Sequence, residues 1–131
     1  MQTPASSPSR AAVGAVFGAG VVQGIALVTF PAAGAIFTSP QHYGLTSTQY
    51  GALFIPQAIL AIASSLAGPQ LAAKLGAKTV FLCGMAANLV SMGLLIASQF
   101  IAGNPSLAYP VLLVATSFMG LAFGLTVPVI N

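Results

Sequence analysis

Apolar residues fill four long stretches of this chain, and short segments rich in proline, glycine or polar residues separate them. The stretches cover residues 11–37, 48–73, 79–103 and 107–130. A helix that crosses the hydrocarbon core of a bilayer needs about 20 apolar residues, and each stretch is longer than that. Because a backbone in hydrocarbon must satisfy its own hydrogen bonds, runs of this length predict helices. The pattern therefore predicts an all-α, polytopic membrane protein with four transmembrane helices.

The segments between the stretches are short, which predicts that consecutive helices are antiparallel neighbours. Residues 38–47 form the first connection, and we expect Ser47 or Thr48 to cap the second helix through its hydroxyl. The second connection is a tight turn around Gly76, and the third is a turn at residues 104–106.

All positive charges of the chain fall on one side of the predicted helices. The 131 residues include no Asp or Glu, and the only Lys and Arg residues are Arg10, Lys74 and Lys78. Arg10 precedes the first helix and both lysines lie between the second and third, so two crossings separate them. Lys and Arg in short loops mark the cytoplasmic side. We therefore expect a cytoplasmic N-terminus, with residues 1–10 as a flexible tail and residues 11–131 as the membrane region.

Composition excludes several classes of function. Hydrophobic residues make up 57% of the chain and charged residues 2%, whereas a soluble domain carries roughly 25% charged residues. Three scattered cations do not make the clustered basic stripe of a nucleic-acid-binding protein. The sequence offers no carboxylate, nucleophile–base pair, metal cluster or phosphate loop. We therefore expect neither enzymatic activity, nor a metal, nor a cofactor.

Glycine and proline positions indicate how the helices pack and bend. Three glycine pairs have the GxxxG spacing that lets membrane helices approach closely, and they predict tight packing of the first and fourth helices: Gly14 and Gly18, Gly20 and Gly24, Gly120 and Gly124. Prolines remove a backbone donor and press on the carbonyl four residues back, and they predict bends at Pro31, Pro56 and Pro128, with Pro69 near the end of the second helix.

The tight turn carries the strongest local motif. Residues 68–78 read Gly-Pro-Gln-Leu-Ala-Ala-Lys-Leu-Gly-Ala-Lys and resemble the loop between helices 2 and 3 of the major facilitator superfamily, roughly G-x-L-x-D-R/K-x-G-R/K-R/K. Alanines replace the aspartate, at Ala73, and one basic residue, at Ala77. Residues 45–51 also resemble the start of helix 2 in that family. The positions that carry the loop match are Pro69 at the first glycine, Leu71, Lys74, Gly76 and Lys78.

This resemblance implies a partial major-facilitator-type N-terminal bundle, with the loop on the cytoplasmic side of a bacterial inner (plasma) membrane. Such transporters are built from inverted three-helix repeats, so four helices would be the N-terminal fragment of a longer secondary transporter. The remaining helices of that transporter would then be its partners. Proton-coupled drug antiporters of this family have an arginine in helix 4, followed by glutamine and glycine three and four residues later. Gly120 matches the glycine, but Thr116 stands in place of the arginine and Met119 in place of the glutamine. This argues against the drug-antiporter subclass.

Polar residues in the middle of apolar helices are the candidates for a site, because they are costly in lipid and should face a cavity or another helix. In the fold implied by the resemblance, helices 1 and 4 line the substrate path, which favours Gln23, Thr116 and Ser117. Gln57 and Asn88 are further candidates, with hydrogen bonding between helices as the alternative. His42 is expected in the outer loop, away from any proton path.

Two functions remain open from the sequence. The first is transmembrane transport of a small solute of unknown class by alternating access, with the lipid bilayer as the environment. The second is a self-contained four-helix membrane protein that acts as an oligomeric accessory or structural subunit. A small multidrug-type dimer would need a glutamate in the first helix, and this chain has none.

Overall fold

The computed structural model describes residues 7–130, which form helices and connecting turns with no strand among them. In chain order the helices are α1 (Arg10–Ala32), α2 (Gly34–Thr38), α3 (Ser47–Ala52), α4 (Phe54–Leu75), α5 (Ala77–Ser98) and α6 (Pro105–Ile130). A short 3-10 turn, Gln99–Ile101, extends α5. Residues 1–6 of the predicted cytoplasmic tail lie outside the described residues.

The helices form four spans that are long and apolar enough to cross a membrane: Arg10–Thr38, Ser47–Leu75, Ala77–Ile101 and Pro105–Pro128. The first span joins α1 to α2, the second joins α3 to α4, the third is α5 with its 3-10 turn, and the fourth is α6. The prediction of an all-α protein with four transmembrane helices is confirmed. Predicted and observed helix bounds agree within about two residues, the usual uncertainty of helix ends.

Two spans are interrupted near the prolines. The first span breaks at Ala33, two residues after Pro31, and the second breaks at Leu53, three residues before Pro56. Proline lacks the N–H that would continue the helical ladder, and its ring crowds the carbonyl four residues back. Each of these spans was expected to be one helix, and each is two. Pro69 and Pro128, by contrast, lie inside uninterrupted helices.

The second span starts with a cap that the sequence prediction placed one or two residues too late. Thr46 is the capping residue: its Oγ1 accepts from the Gln49 N–H at 3.1 Å, and Gln49 Oε1 accepts from the Thr46 N–H at 3.0 Å. This reciprocal capping box requires Gln or Glu three residues after the cap. The prediction of Ser47 or Thr48 is therefore wrong, because neither has such a residue at that spacing.

A glycine makes the turn between α4 and α5. Gly76 has φ 88° and ψ 142°, a backbone conformation that costs little only for glycine. Its N–H donates to the Ala72 carbonyl at 2.9 Å and closes the last turn of α4. Lys74 lies in that last turn, where a cation interacts favourably with the helix dipole. We call this end of the bundle, where Arg10, Lys74 and Lys78 lie, the basic end.

The fourth span is the centre of the bundle. Helix α6 packs along both α4 and α5, whereas α1 approaches α5 and α6 at few places. The α1 residues that become buried are Gln23, Ala26 and Phe30. The buried side of α6 repeats every three or four residues and contains Ala108, Leu112, Ala115, Thr116, Met119, Ala122 and Thr126.

Glycines set how closely α6 approaches its neighbours. A Cβ at Gly120 would collide with the backbone carbonyl of Gln57, and one at Gly124 would collide with the side-chain oxygen of Ser64. On the other side, a Cβ at Gly84 of α5 would lie 2.5 Å from Thr126 Cγ2. The GxxxG prediction therefore holds for the fourth helix.

The same prediction is wrong for the first helix within the part of the chain that the structure describes. No atom lies within 4 Å of where a Cβ would sit on the α1 glycines, Gly14, Gly18, Gly20 and Gly24. Phe17, between them, is 73% exposed. Spacing alone cannot tell a packed glycine pair from an unpacked one in an Ala/Gly-rich helix.

Aromatic residues close the bundle at the end opposite the basic end, which we call the loop end. Phe37 stacks on Phe30 and forms a T-shaped pair with Tyr43. The Tyr43 hydroxyl shares a 2.8 Å hydrogen bond with Ser98 Oγ, which ties the loop to the third span. Tyr43 and Leu45 are 4% and 3% exposed, so these two side chains anchor the loop over residues 39–46 in the core.

We expect Gly120→Ala to destabilise the bundle by roughly 1–3 kcal/mol, because the new methyl group overpacks the contact with the Gln57 carbonyl. Gly93→Ala is the matched control, since Gly93 of α5 has open space beside it. That control should leave stability unchanged or raise it by up to about 1 kcal/mol, the helix preference for alanine. SDS-induced unfolding in mixed micelles, followed by circular dichroism, measures both. Equal effects at the two positions would contradict the glycine contact.

Candidate functional site

A hydrogen bond between polar side chains joins α1 to α6. Thr126 Oγ1 lies 2.9 Å from Gln23 Oε1, and both side chains are buried. The hydroxyl also lies 2.8 Å from the Ala122 carbonyl oxygen. A hydroxyl has one proton to donate, and the oxygen and nitrogen of an amide can exchange places by a flip. With the amide flipped, Gln23 donates to Thr126 while Thr126 donates to its own helix, and both bonds form together.

One helical turn from this pair, towards the loop end, lies a cavity of about 290 Å³ between α1, α4 and α6. Leu27 follows Gln23 by four residues along α1, and Phe123 precedes Thr126 by three along α6. Helix α1 hardly approaches α4, and the cavity is the space that this leaves. Its lining is Leu27, Phe54, Gln57, Ala58, Ala61 and Phe123.

Gln57 supplies the polar side chain of this cavity. Its Oε1 is buried and has no hydrogen-bond partner among the described residues. A buried acceptor without a partner costs roughly 1–3 kcal/mol, and native structures contain few of them. The Gln57 backbone is held against Gly120 of α6, which fixes where its side chain begins. Of the predicted site residues, Gln23 and Gln57 are therefore the two that lie on or next to one cavity.

The fourth-helix candidates lie elsewhere. Thr116 Oγ1 donates to the Leu113 carbonyl at 3.0 Å, and Ser117 Oγ donates to the same carbonyl at 2.7 Å. Hydroxyls in helices commonly donate to a carbonyl of the preceding turn in this way. Thr116 is fully buried. Neither residue lines the cavity beside Gln57, so the structure does not bring them together with Gln23.

Asn88 lies in the packing between the third and fourth spans. It is 3% exposed and shares the buried side of α5 with Gly84 and Ser91. Ser91 Oγ donates to the Ala115 carbonyl at 2.6 Å, which links α5 to α6. Asn88 is not part of the cavity lining, and its position favours the alternative of an interhelical role.

The remaining predicted residues lie at the two ends of the bundle. Pro69 and Leu71 are in the body of α4, and Lys78 is in the first turn of α5, exposed like Lys74. His42 is exposed at the loop end, on a second cavity of about 350 Å³ between the first and third spans. Among the described residues, no three His, Cys, Asp or Glu side chains cluster as metal ligands would.

Sequence reasoning missed Thr126, the partner of Gln23. A threonine near the end of an apolar helix has an ordinary local explanation, the bond to a carbonyl of its own preceding turn. Its second partner, Gln23, is 103 residues away in the chain, and no local sequence pattern indicates a contact between residues so far apart. The Tyr43–Ser98 bond was missed for the same reason.

These four spans define an α-helical integral membrane protein. The chain has no significant match among protein-family models, curated proteins or solved structures. The likeness to the major facilitator superfamily therefore rests on residues 45–51 and 68–78 and on the layout of the spans.

A double-mutant cycle tests the bond between Gln23 and Thr126. We expect Gln23→Ala and Thr126→Val to show a coupling energy of about 0.5–1.5 kcal/mol, the range of hydrogen bonds between membrane helices. Gln23→Ala with Thr116→Val is the control cycle, because the Thr116 hydroxyl donates within its own helix. That cycle should be additive. A coupling no larger than the control, measured by SDS unfolding, would contradict the bond.

Proposed function

We propose that this chain moves a small solute across the membrane by alternating access, as the first four helices of a secondary transporter of the major facilitator superfamily. The observation that carries the proposal is a gap between α1, α4 and α6 that Gln57 lines, with the buried Gln23–Thr126 hydrogen bond one helical turn away. Polar groups inside membrane spans are costly and mark functional pathways.

The attachment of α1 suits a protein that changes shape. Helices α4, α5 and α6 are packed closely together, whereas α1 touches them at few places. The Gln23–Thr126 bond joins α1 to α6, and such bonds average about 0.6 kcal/mol in a membrane protein. Because two transport states must lie within a few kcal/mol of each other, a weakly held helix beside a cavity favours alternating access.

This chain contains no Asp or Glu, so it supplies no carboxylate that could couple transport to protons. Any acidic coupling residue belongs to other helices of the transporter. The family's loop aspartate, which helps to lock neighbouring helix ends, is replaced by Ala73. The turn at Gly76 therefore connects α4 to α5 without the contact between helix ends that the aspartate makes in that family.

The orientation that we propose follows the charges. The basic end would face the cytoplasm and the loop end would face outward, in a bacterial inner membrane. The supporting observation is that Arg10, Lys74 and Lys78 are all exposed, two membrane crossings apart in the chain.

The second candidate function, an oligomeric accessory or structural subunit, is favoured by a different observation. The α1 glycines have nothing opposite them, and small residues commonly line contacts between membrane helices. Further helices of the same transporter would cover this side equally well, and the transport assay below separates the two functions.

We expect Gln23→Ala to reduce solute uptake by about fivefold to tenfold, the loss of roughly one hydrogen bond, without lowering the amount of protein in the membrane. Uptake of radiolabelled sugars, amino acids and nucleosides into cells expressing the whole reading frame measures this. Gln70→Ala is the matched control, because Gln70 is exposed near the basic end of α4. Unchanged uptake at full expression removes Gln23 from the substrate path, and no uptake of any solute favours the subunit function.

Single-cysteine labelling tests the orientation. In a Cys83→Ser background, Gln41→Cys in the loop should react with a membrane-impermeant maleimide in intact cells, because Gln41 is exposed at the loop end. Ser7→Cys at the basic end should react only after the cells are permeabilised. Reaction of Ser7→Cys in intact cells would reverse the proposed orientation.

A further inference from the structure

Helix α1 is packed against the rest of the bundle at one end only. Its buried side chains, Gln23, Ala26 and Phe30, all lie in the half nearer the loop end. Residues 10–22 are all described, and none of their side chains is buried. In the short helix α2, by contrast, Phe37 is 1% exposed. The packing of the first span therefore weakens from the loop end towards the basic end.

The break at Ala33 separates the fixed part of the first span from the weakly held part. Ala33 belongs to neither helix: its N–H donates to the Thr29 carbonyl at 3.0 Å, and its carbonyl accepts from the Phe37 N–H at 3.1 Å. Its backbone angles, φ −85° and ψ 7°, lie in the sparsely populated region between helix and strand. Hinges are commonly a few residues at the ends of helices or strands that absorb changes in φ and ψ. Ala33 is therefore placed to act as the hinge of α1.

The second span holds the loop-end side of this hinge. The Tyr50 hydroxyl lies 3.4 Å from the Pro31 carbonyl oxygen, and Gly34 leaves space for the Tyr50 side chain. Phe30, the α1 residue that stacks in the aromatic cluster, precedes the hinge by three residues, or about 4.5 Å along a helix. A side chain so close to the hinge moves by only about 1 Å when the far end of α1 moves by several. The aromatic packing can therefore persist while the rest of α1 turns.

The Gln23–Thr126 hydrogen bond is the buried contact of α1 that lies farthest from the hinge. Gln23 precedes Ala33 by ten residues, or about 15 Å along a helix, and Arg10 precedes it by 23 residues, or about 35 Å. A rotation at Ala33 that separates Gln23 from Thr126 by about 3 Å therefore displaces Arg10 by about 7 Å. A small opening at this bond becomes a larger movement at the basic end.

We propose that α1 turns about Ala33 as a lever between a closed and an open position, and that the hydrogen bond between Gln23 and Thr126 is the latch of the closed position. The movement occurs between α1 and the closely packed helices α4, α5 and α6, and it is distinct from the rigid-body rocking of one repeat against another. This inference rests on the proposed transport function only for its use. The hinge and the latch are contacts within the described residues, and they do not depend on what covers the other side of α1.

Distances between spin labels on the full chain in phospholipid nanodiscs, measured by double electron–electron resonance, test this movement. In a Cys83→Ser background, Leu66→Cys on α4 carries the reference label, because Leu66 is 73% exposed. A control pair, Leu66→Cys with Leu89→Cys of α5, lies within the closely packed helices and should keep one distance. The second label of the test pairs is placed at one of four exposed positions of the first span: Ile36, Ile25, Phe17 or Ala11.

The decisive variant is Thr126→Val, which keeps the shape of the side chain and removes the hydroxyl. Hydrogen bonds between membrane helices are weak on average, so its loss should raise the ratio of open to closed molecules by about threefold. The difference in distance between the open and closed positions should be absent at Ile36. It should grow from Ile25 through Phe17 to Ala11, where we expect about 7 Å.

Two further variants separate the latch from a general loss of packing. Gln23→Leu removes the same bond from the other side and should raise the ratio by the same factor. Thr116→Val is the matched control, because Thr116 is buried and its hydroxyl donates within α6, and it should leave the ratio unchanged. An unchanged ratio in Thr126→Val, or an equal rise in Thr116→Val, overturns the latch. Equal displacement at all four labelled positions, or a single distance at each of them, overturns the hinge.

Failure of the lever and failure of the transport function give different results. A movement of α1 that depends on Thr126, in a protein that takes up no solute, would leave the lever and overturn transport. Solute uptake by a protein in which α1 keeps one position would leave transport and overturn the lever.

Discussion

The close approach of α6 to α4 and α5 is the contact on which the rest of the structure depends. In a membrane, helix association relies on van der Waals packing and hydrogen bonds because lipid tails are as apolar as leucine. Gly120 and Gly124 let the backbone of α6 reach α4, and Gly84 of α5 leaves room for Thr126 on the other side. The three helices therefore form one packed unit, and every candidate polar group is positioned relative to it.

Helix α1 touches this packed unit at few places. It buries Gln23, Ala26 and Phe30, and its glycines contribute no close contact within the described residues. Because α1 stays away from α4, a cavity remains between them. The loosely held helix and the cavity are thus two consequences of one packing arrangement.

At the loop end, prolines and aromatic residues act together. The breaks near Pro31 and Pro56 redirect the first and second spans close to where they leave the membrane. Gly34 leaves room for Tyr50, whose hydroxyl lies 3.4 Å from the Pro31 carbonyl oxygen. The Pro31 carbonyl oxygen, beside the break in the first span, is therefore partly covered by the Tyr50 side chain of the second span. The loop end is closed around an aromatic core, whereas α1 makes few contacts along the rest of its length.

The sequence by itself determined the four spans and their ends within about two residues, and it determined that the chain has no carboxylate for chemistry. Hydropathy and turn composition are local properties, so they can be read along the chain. The tertiary structure decided which glycines pack, which polar side chains meet and where a gap remains. Gln23 meets Thr126 across 103 residues, while Thr116 and Ser117 donate within their own helix. Those outcomes depend on the rotation of each helix about its axis and on which helices are neighbours. In spans that are apolar on nearly every side, no periodic pattern in the sequence specifies either.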